Sequence, residues 1–278
     1  MKTKLMQRCL SVLTNTRQFY GLALGGAIAF GGLPSARAQT QPAASGTSST
    51  NEPTHAERAL GLLKPVADKL SATKAFRFKI ESMVEVPSPV GQMINYFFNT
   101  EVEVERPNKL FARKRGDGPA FDVYYDGKKF SGIDEKLGLY AEMDAPATLD
   151  ELIPAVTEKT GMYFPFADVL YSDVYARVTK DLTHAYWVDK SSVAGVECDH
   201  LAFAGPGIEW QIWVGPQQDP LPRRLAVTYV SMERQPRFLI TFSDWNLKSD
   251  TSPRRFEFRK PAGAKLIEFR PLGGKTNK

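Results

Sequence analysis

The feature that most constrains this chain is a two-residue alternation running through two consecutive segments. Phe76, Phe78, Ile80, Val84 and Val86 alternate with Arg77, Lys79, Glu81 and Glu85. After Pro87-Ser88-Pro89-Val90-Gly91 the pattern resumes, with Ile94, Tyr96, Phe98, Val102 and Val104 set against Asn95, Asn99, Glu101, Glu103 and Glu105. Successive side chains of a strand point to opposite faces, so each segment predicts a long strand with one dry and one wet face. Two such strands joined by a short turn predict a hairpin. A sheet that buries one face only is of the antiparallel kind, and its dry face must be covered.

The strand signal continues along the chain. Leu110 to Arg115 predicts a third strand, and Phe121 to Tyr125 with Lys128 to Ile133 predicts a hairpin around Asp126-Gly127, a favoured two-residue turn. Leu137 to Met143 extends the meander. Segments around 173–179, 184–190, 196–203, 208–214, 223–231 and 237–247 also read as strands, and Phe256 to Phe258 and Leu266 to Phe269 close the chain. Residues 55–72 suit an amphipathic helix, because Ala59, Leu62/Leu63, Val66 and Leu70 recur at three- and four-residue steps. Pro65 predicts a kink or restart there. Thr148-Leu149-Asp150-Glu151 is a capping box that opens a second helix carrying Leu149, Leu152, Ile153 and Val156, with Pro154 predicting another kink. It leads into an apolar, aromatic connection, MYFPFADVLY, at 162–171. The expected fold is mainly β (α+β): a curved antiparallel sheet, an unclosed half-barrel of about eleven strands covered by helices. A sheet this large must curl. Its concave apolar face must then be filled by the helices at 55–72 and 148–171, or by a ligand.

The first 38 residues read as an address. They carry five positive charges and no Asp or Glu, followed by an apolar run from Phe19 to Leu33 that is shorter than the ~20 residues of a spanning helix. Ala36-Arg37-Ala38 then supplies an A-x-A cleavage signature, so a secretory signal peptide cleaved near Ala38 is expected. Residues 39–54 read as a flexible leader, 55–272 as a single domain and 273–278 as a tail. With the five charges of residues 1–38 removed, 31 positive residues face 31 negative ones. A neutral body lacks the basic footprint of nucleic-acid binding. Cys9 leaves with the signal peptide and Cys198 remains alone, so no internal disulfide is expected.

The search for chemistry finds mostly absence: no nucleophile elbow, no P-loop, no dinucleotide fingerprint and no H-E-x-x-H. The three histidines are His55, His184 and His200. In Glu197-Cys198-Asp199-His200, alternation sends Cys198 and His200 to one face and Glu197 and Asp199 to the other, so the run does not converge on a metal or a nucleophile site. No catalytic residue, metal site or cofactor is expected. Glu101, Glu103 and Glu105 read as a solvated strand face, and Arg113-Lys114-Arg115 as an exposed strand end in preference to a headgroup site. Phe164, Phe166, Trp210 and Trp213 either line a ligand mouth or are plain core and rim aromatics.

Arg106-Pro107-Asn108-Lys109-Leu110-Phe111 followed by Tyr125-Asp126-Gly127-Lys128 resembles the family of the periplasmic lipoprotein carrier LolA, as does Phe256-Glu257-Phe258 with Pro261-Ala262-Gly263-Ala264. More closely, about residues 56–272 resemble a family of predicted periplasmic proteins of unknown function with that fold. Ala145-Pro146-Ala147-Thr148-Leu149-Asp150, Phe164-Pro165-Phe166-Ala167-Asp168-Val169-Leu170, Trp210-Gln211-Ile212-Trp213-Val214 and Pro220-Leu221-Pro222-Arg223-Arg224 carry that likeness. The resemblance implies a periplasmic protein with a LolA-like half-barrel and a hydrophobic cavity for acyl chains. It also implies that Arg106 tethers the helical lid, and a guanidinium with five donors suits that task.

The resulting expectation is a non-enzymatic binder or carrier of a lipid or acyl-chain ligand, with Phe76, Phe78, Ile80, Ile94, Tyr96, Phe98, Phe121, Val123, Phe164, Phe166, Trp210 and Trp213 lining the hollow. An envelope lipoprotein or membrane protein is a further expected partner, and the chain itself is not expected to be integral to a membrane. The rival readings are an envelope sensor or protein-interaction module using the same groove, and a hydrolase using His200 or His184.

Overall fold

The structure is a computed structural model that describes residues 52–162, 164–250 and 252–269. The expected signal peptide, nearly all of the leader and the tail lie outside the described residues. The strands are β1 (Ala75–Pro87), β2 (Met93–Glu105), β3 (Lys109–Gly116), β4 (Phe121–Tyr125), β5 (Lys129–Asp134), β6 (Leu139–Asp144), β7 (His184–Val193), β8 (Val196–Gly205), β9 (Ile208–Val214), β10 (Pro222–Thr228), β11 (Arg237–Asn246) and β12 (Lys265–Leu266). They form one sheet in the order β12-β6-β5-β4-β3-β2-β1-β11-β10-β9-β8-β7, whose two ends do not pair with each other. The sheet is therefore an unclosed, curved half-barrel. Its one departure from antiparallel pairing is the short β12, which runs parallel to β6.

The β1–β2 hairpin forms as its alternation requires. Phe76 faces Val104, Phe78 faces Val102 and Val84 faces Tyr96 across the ladder. Phe76, Phe78, Ile80, Val102 and Val104 are buried on the concave side, while Arg77, Lys79, Glu81 and Glu101 are exposed on the other. Cross-strand pairs of this kind hold the register, since a slip of one residue would turn every apolar side chain outward.

Helix α1 (His55–Ala72) fills one end of the hollow side. Ala59, Leu63, Val66, Ala67 and Leu70 pack against Leu201, Phe203, Ile212 and Val214 of β8 and β9. Thr54 caps it through a reciprocal box with Glu57, so the expected leader ends in a helix cap. Pro65 does not break the helix. Its ring meets the turn at Gly61 on the exposed side, where the carbonyl that loses its partner can be hydrated. Helix α2 (Leu149–Thr160), capped by Thr148, is likewise continuous through Pro154, and it presents Leu149, Leu152, Ile153 and Val156 to the other end of the sheet. Gly161, in the left-handed region at φ 71°, ends it and turns the chain into the 162–170 connection.

Three expectations need correction. Residues 173–179 are a helix, α3 (Val174–Thr179), and not a strand: the Asp173 carboxylate accepts from the Ala176 amide, and Val174 is buried beside α1. Tertiary contact and a cap override the β-leaning composition of this segment. Phe256–Phe258 is not a strand either, because Pro253–Phe256 is a 3₁₀ turn lying across the outer face of β3. That turn also dries the supposed wet face. The Arg255 guanidinium stands 3.7 Å from the centre of the Phe111 ring and pairs with Glu103 at 2.7 Å, while Phe111 and Phe256 are wholly buried.

Candidate functional site

The helices do not fill the whole concave face. Between β1–β6 and the end of α2 lies a cavity of about 590 Å³, inside the ~300–1,000 Å³ typical of small-molecule sites. Its walls come from Ile80, Ser82 and Val84 of β1, Phe98 and Thr100 of β2, Ala112 and Lys114 of β3, Phe121 of β4, and Ile133, Leu139 and Ala141 beyond. Met162, Phe164 and Phe166 of the connection roof it, Tyr229 and Phe238 close one side, and Ile267, Glu268 and Phe269 another. Pro119, Leu137 and Ile267 are exposed and mark the mouth, whereas Ile80 and Phe164 are buried. Few polar groups interrupt this lining. The Ser82 hydroxyl donates to the Phe98 carbonyl and the Thr160 hydroxyl to the Val156 carbonyl, so both are turned to backbone.

The basic run at 113–115 is not an exposed strand end. Arg113 and Arg115 point to the outer face and pair with the wholly buried Asp122 at 2.9 and 2.7 Å. Lys114, one residue out of phase, points into the cavity. Its Nζ lies 3.8 Å from the centre of the Phe98 ring and 5.1 Å from that of Phe121, and donates to the Pro119 carbonyl at 3.1 Å. Burial among these rings lowers its pKa to about 8, against a smaller opposing pull from Asp117.

Arg106 sits where β2 gives way to β3, beneath the connection. Its Nη2 donates to the carbonyls of Val169 and Tyr171 at 3.1 and 2.9 Å. Its guanidinium carbon is 5.0 Å from the centre of the Phe76 ring. Nε and Nη1 are buried without a hydrogen-bond partner among the described residues, and this desolvation lowers the pKa to about 10, with Asp150 opposing. Two further bonds fasten the cover nearby: the Leu149 amide to the Pro107 carbonyl at 2.8 Å, and the Tyr125 hydroxyl to the Pro146 carbonyl at 2.6 Å.

Of the residues expected to line a hollow, the cavity brings together Ile80, Phe98, Phe121, Phe164 and Phe166. Phe76, Phe78 and Val123 share their face but lie in solid core: Phe78 stacks on Trp245 at 4.5 Å and meets Phe166 edge-on at 5.9 Å. Ile94 and Tyr96 lie beyond the cavity, because β3 ends opposite Phe98 and does not run on along the hairpin tip; Ile94 is 39% exposed. Trp210 and Trp213 cannot share a mouth. An odd separation along β9 places them on opposite faces, Trp210 stacked on Phe203 inside and Trp213 on His200 outside. Lys114 was open to the same parity argument, since it continues the inward set Leu110 and Ala112.

The histidines do not form a reactive cluster with one another. His55 meets the Trp187 carbonyl, His184 the Thr183 hydroxyl and His200 the Gln211 side-chain oxygen. Cys198 is buried, and desolvation raises its thiol pKa. Among the described residues no cluster of His, Cys, Asp and Glu suits a metal ion, and no helix is long and apolar enough to cross a membrane.

An open antiparallel half-barrel with a helical cover over an apolar hollow is the class of protein that this geometry defines. The chain belongs to the family described as predicted periplasmic protein (DUF2092), which matches residues 59–270. Among solved structures it is similar to the lipoprotein LppX of Mycobacterium tuberculosis, at 13% identity and TM-score 0.43, covering 70% of this chain and 98% of that one. It is also similar to LprF of Mycobacterium bovis, at 10% identity and TM-score 0.43, covering 77% and 100%. A LolA superfamily protein of Nitrosomonas europaea follows at 9% identity and TM-score 0.34, covering 72% and 97%. These likenesses are distant, and none assigns a role to a residue of this chain. No curated protein matches it.

Proposed function

We propose that this protein is a non-enzymatic periplasmic binder or carrier of a lipid-like or acylated ligand, held between the sheet and its helical cover. One observation carries the reading: the hollow of about 590 Å³ left open on the concave face, lined almost throughout by apolar side chains. Burying a hydrocarbon tail there contributes about 25 cal/mol per Å² before ordering costs. Arg106 serves as the tether of the cover, because its bonds to Val169 and Tyr171 hold the connection that roofs the cavity. Native mass spectrometry of protein purified from the periplasm should show bound lipid, and a fluorescent fatty acid should be taken up and displaced. An empty protein that takes up no such probe would end this reading.

A second reading has its own support. The β1–β2 hairpin overhangs its neighbour, and its tip exposes Val90 (87%), Ile94 and Phe97 (59%). Such residues suit contact with an envelope protein. A photoreactive group at position 97 should then crosslink to one defined partner in cells; diffuse labelling would discard the idea.

A further inference from the structure

Among the described residues the cavity wall carries one cation, and that cation forms no ion pair with a carboxylate. Among the described lining residues Lys114 is the only basic side chain, and it takes part in none of the ion pairs found among them. The other charged lining groups are otherwise placed. Asp134 accepts from the Leu137 amide at 3.0 Å in the β5–β6 turn, and Glu268 lies exposed at the mouth. The ammonium has given up water for two aromatic faces and one carbonyl, which leaves hydrogen-bonding capacity toward the hollow, since Lys carries three donors.

We infer that Lys114 selects the ligand by its headgroup: the cavity takes a single-chain amphiphile with one carboxylate, its tail along Ile80, Phe98 and Phe164 and its head on the Lys114 ammonium. This rests on the lipid-binding reading above and names the chemistry that the same site prefers. A carboxylate fits better than a phosphate ester because a single lysine balances one unit of charge, and of the three Ser and Thr hydroxyls in the lining those of Ser82 and Thr160 are already committed to backbone. A phosphate of roughly −1.5 to −2 charge would need further donors.

The test compares dodecanoate with dodecanol on the full-length mature protein by displacement of a neutral fluorescent probe. Dodecanoate should bind about tenfold or more tightly than dodecanol, the gain expected of one charge-assisted hydrogen bond. Lys114→Met should abolish that preference, and Lys114→Arg should retain it. If the Met variant fails to fold, the unaltered protein still decides. Raising the pH from about 7 to about 10 should weaken dodecanoate about tenfold or more and spare dodecanol, as Lys114 discharges. The other titratable groups near Lys114 are Asp117 and, in the lining, Asp134, Glu268 and Tyr229. Equal affinities for the two probes, or a preference that survives Lys114→Met, would overturn the inference while leaving the lipid reading intact. Failure of both probes to bind would overturn both.

Discussion

The two halves of the concave face were given the same kind of wall and reached different ends. Over β7–β9 the long helix α1 lays Leu63, Val66 and Leu70 directly onto Leu201, Phe203 and Val214, and the space is solid. Over β1–β6 the cover is the shorter α2 and a looping connection, which reach the wall at Phe78 but stand off it at Ile80, Ser82 and Val84. A single strand, β1, thus passes from packed core to open hollow within a few residues. The lesson is that alternation makes a dry face, while only the length and path of the cover decide whether that face is packed or left as a hollow.

The sharpest way to break this comparison is Phe78→Asp. Phe78 is 2% exposed among Phe166, Phe242 and Trp245, so the substitution buries an unpaired charge and should cost more than about 4 kcal/mol, read as loss of the cooperative melt. Leu201→Ala in the filled half should cost about 2–5 kcal/mol by denaturant titration, because it opens a cavity in close-packed surroundings. Phe121→Ala, on the wall of the hollow, should cost less than Leu201→Ala, since that side chain already faces open space on one side. Equal costs at the two sites would mean that the halves are packed alike.

Arg106→Met tests the cover itself. Leaving the Val169 and Tyr171 carbonyls without their donor should cost about 1–3 kcal/mol, and hydrogen exchange should speed up locally around the connection before it does in α1. A last effect concerns pH. Burial lowers Lys114 from 10.5 to about 8, so in the folded protein its charge opposes folding below about pH 8. Between those two values the unfolded chain holds more protons, and stability gains as pH rises. Lys114→Met should therefore melt above the parent below about pH 8, with the gap closing toward 10.5; a constant gap would place the ammonium in water.

Much of this was legible in the sequence where the signal is local. The hairpin at 75–105 follows from period-2 alternation, the start of α2 from Thr148 and Glu151, and the place of the β4–β5 turn from Asp126-Gly127, although Tyr125 pairs with Phe130 and the connection is longer than the expected two residues. What escaped depends on contacts between distant segments. Residues 173–179 have strand-like composition, yet they are helical because Asp173 caps them and α1 accepts Val174. Phe111 lies on the nominally wet face, yet it is dry because Arg255 and Phe256 arrive from far along the chain.

By itself the sequence determined a large one-faced sheet with amphipathic helices to cover it, because side-chain direction along a strand or helix is set by backbone geometry at each residue. Only the tertiary structure decided where the cover touches that sheet, which residues of the dry face remain uncovered, and that Lys114 stands among them. Those outcomes depend on the path of a helix and a connection through space, which no local period encodes.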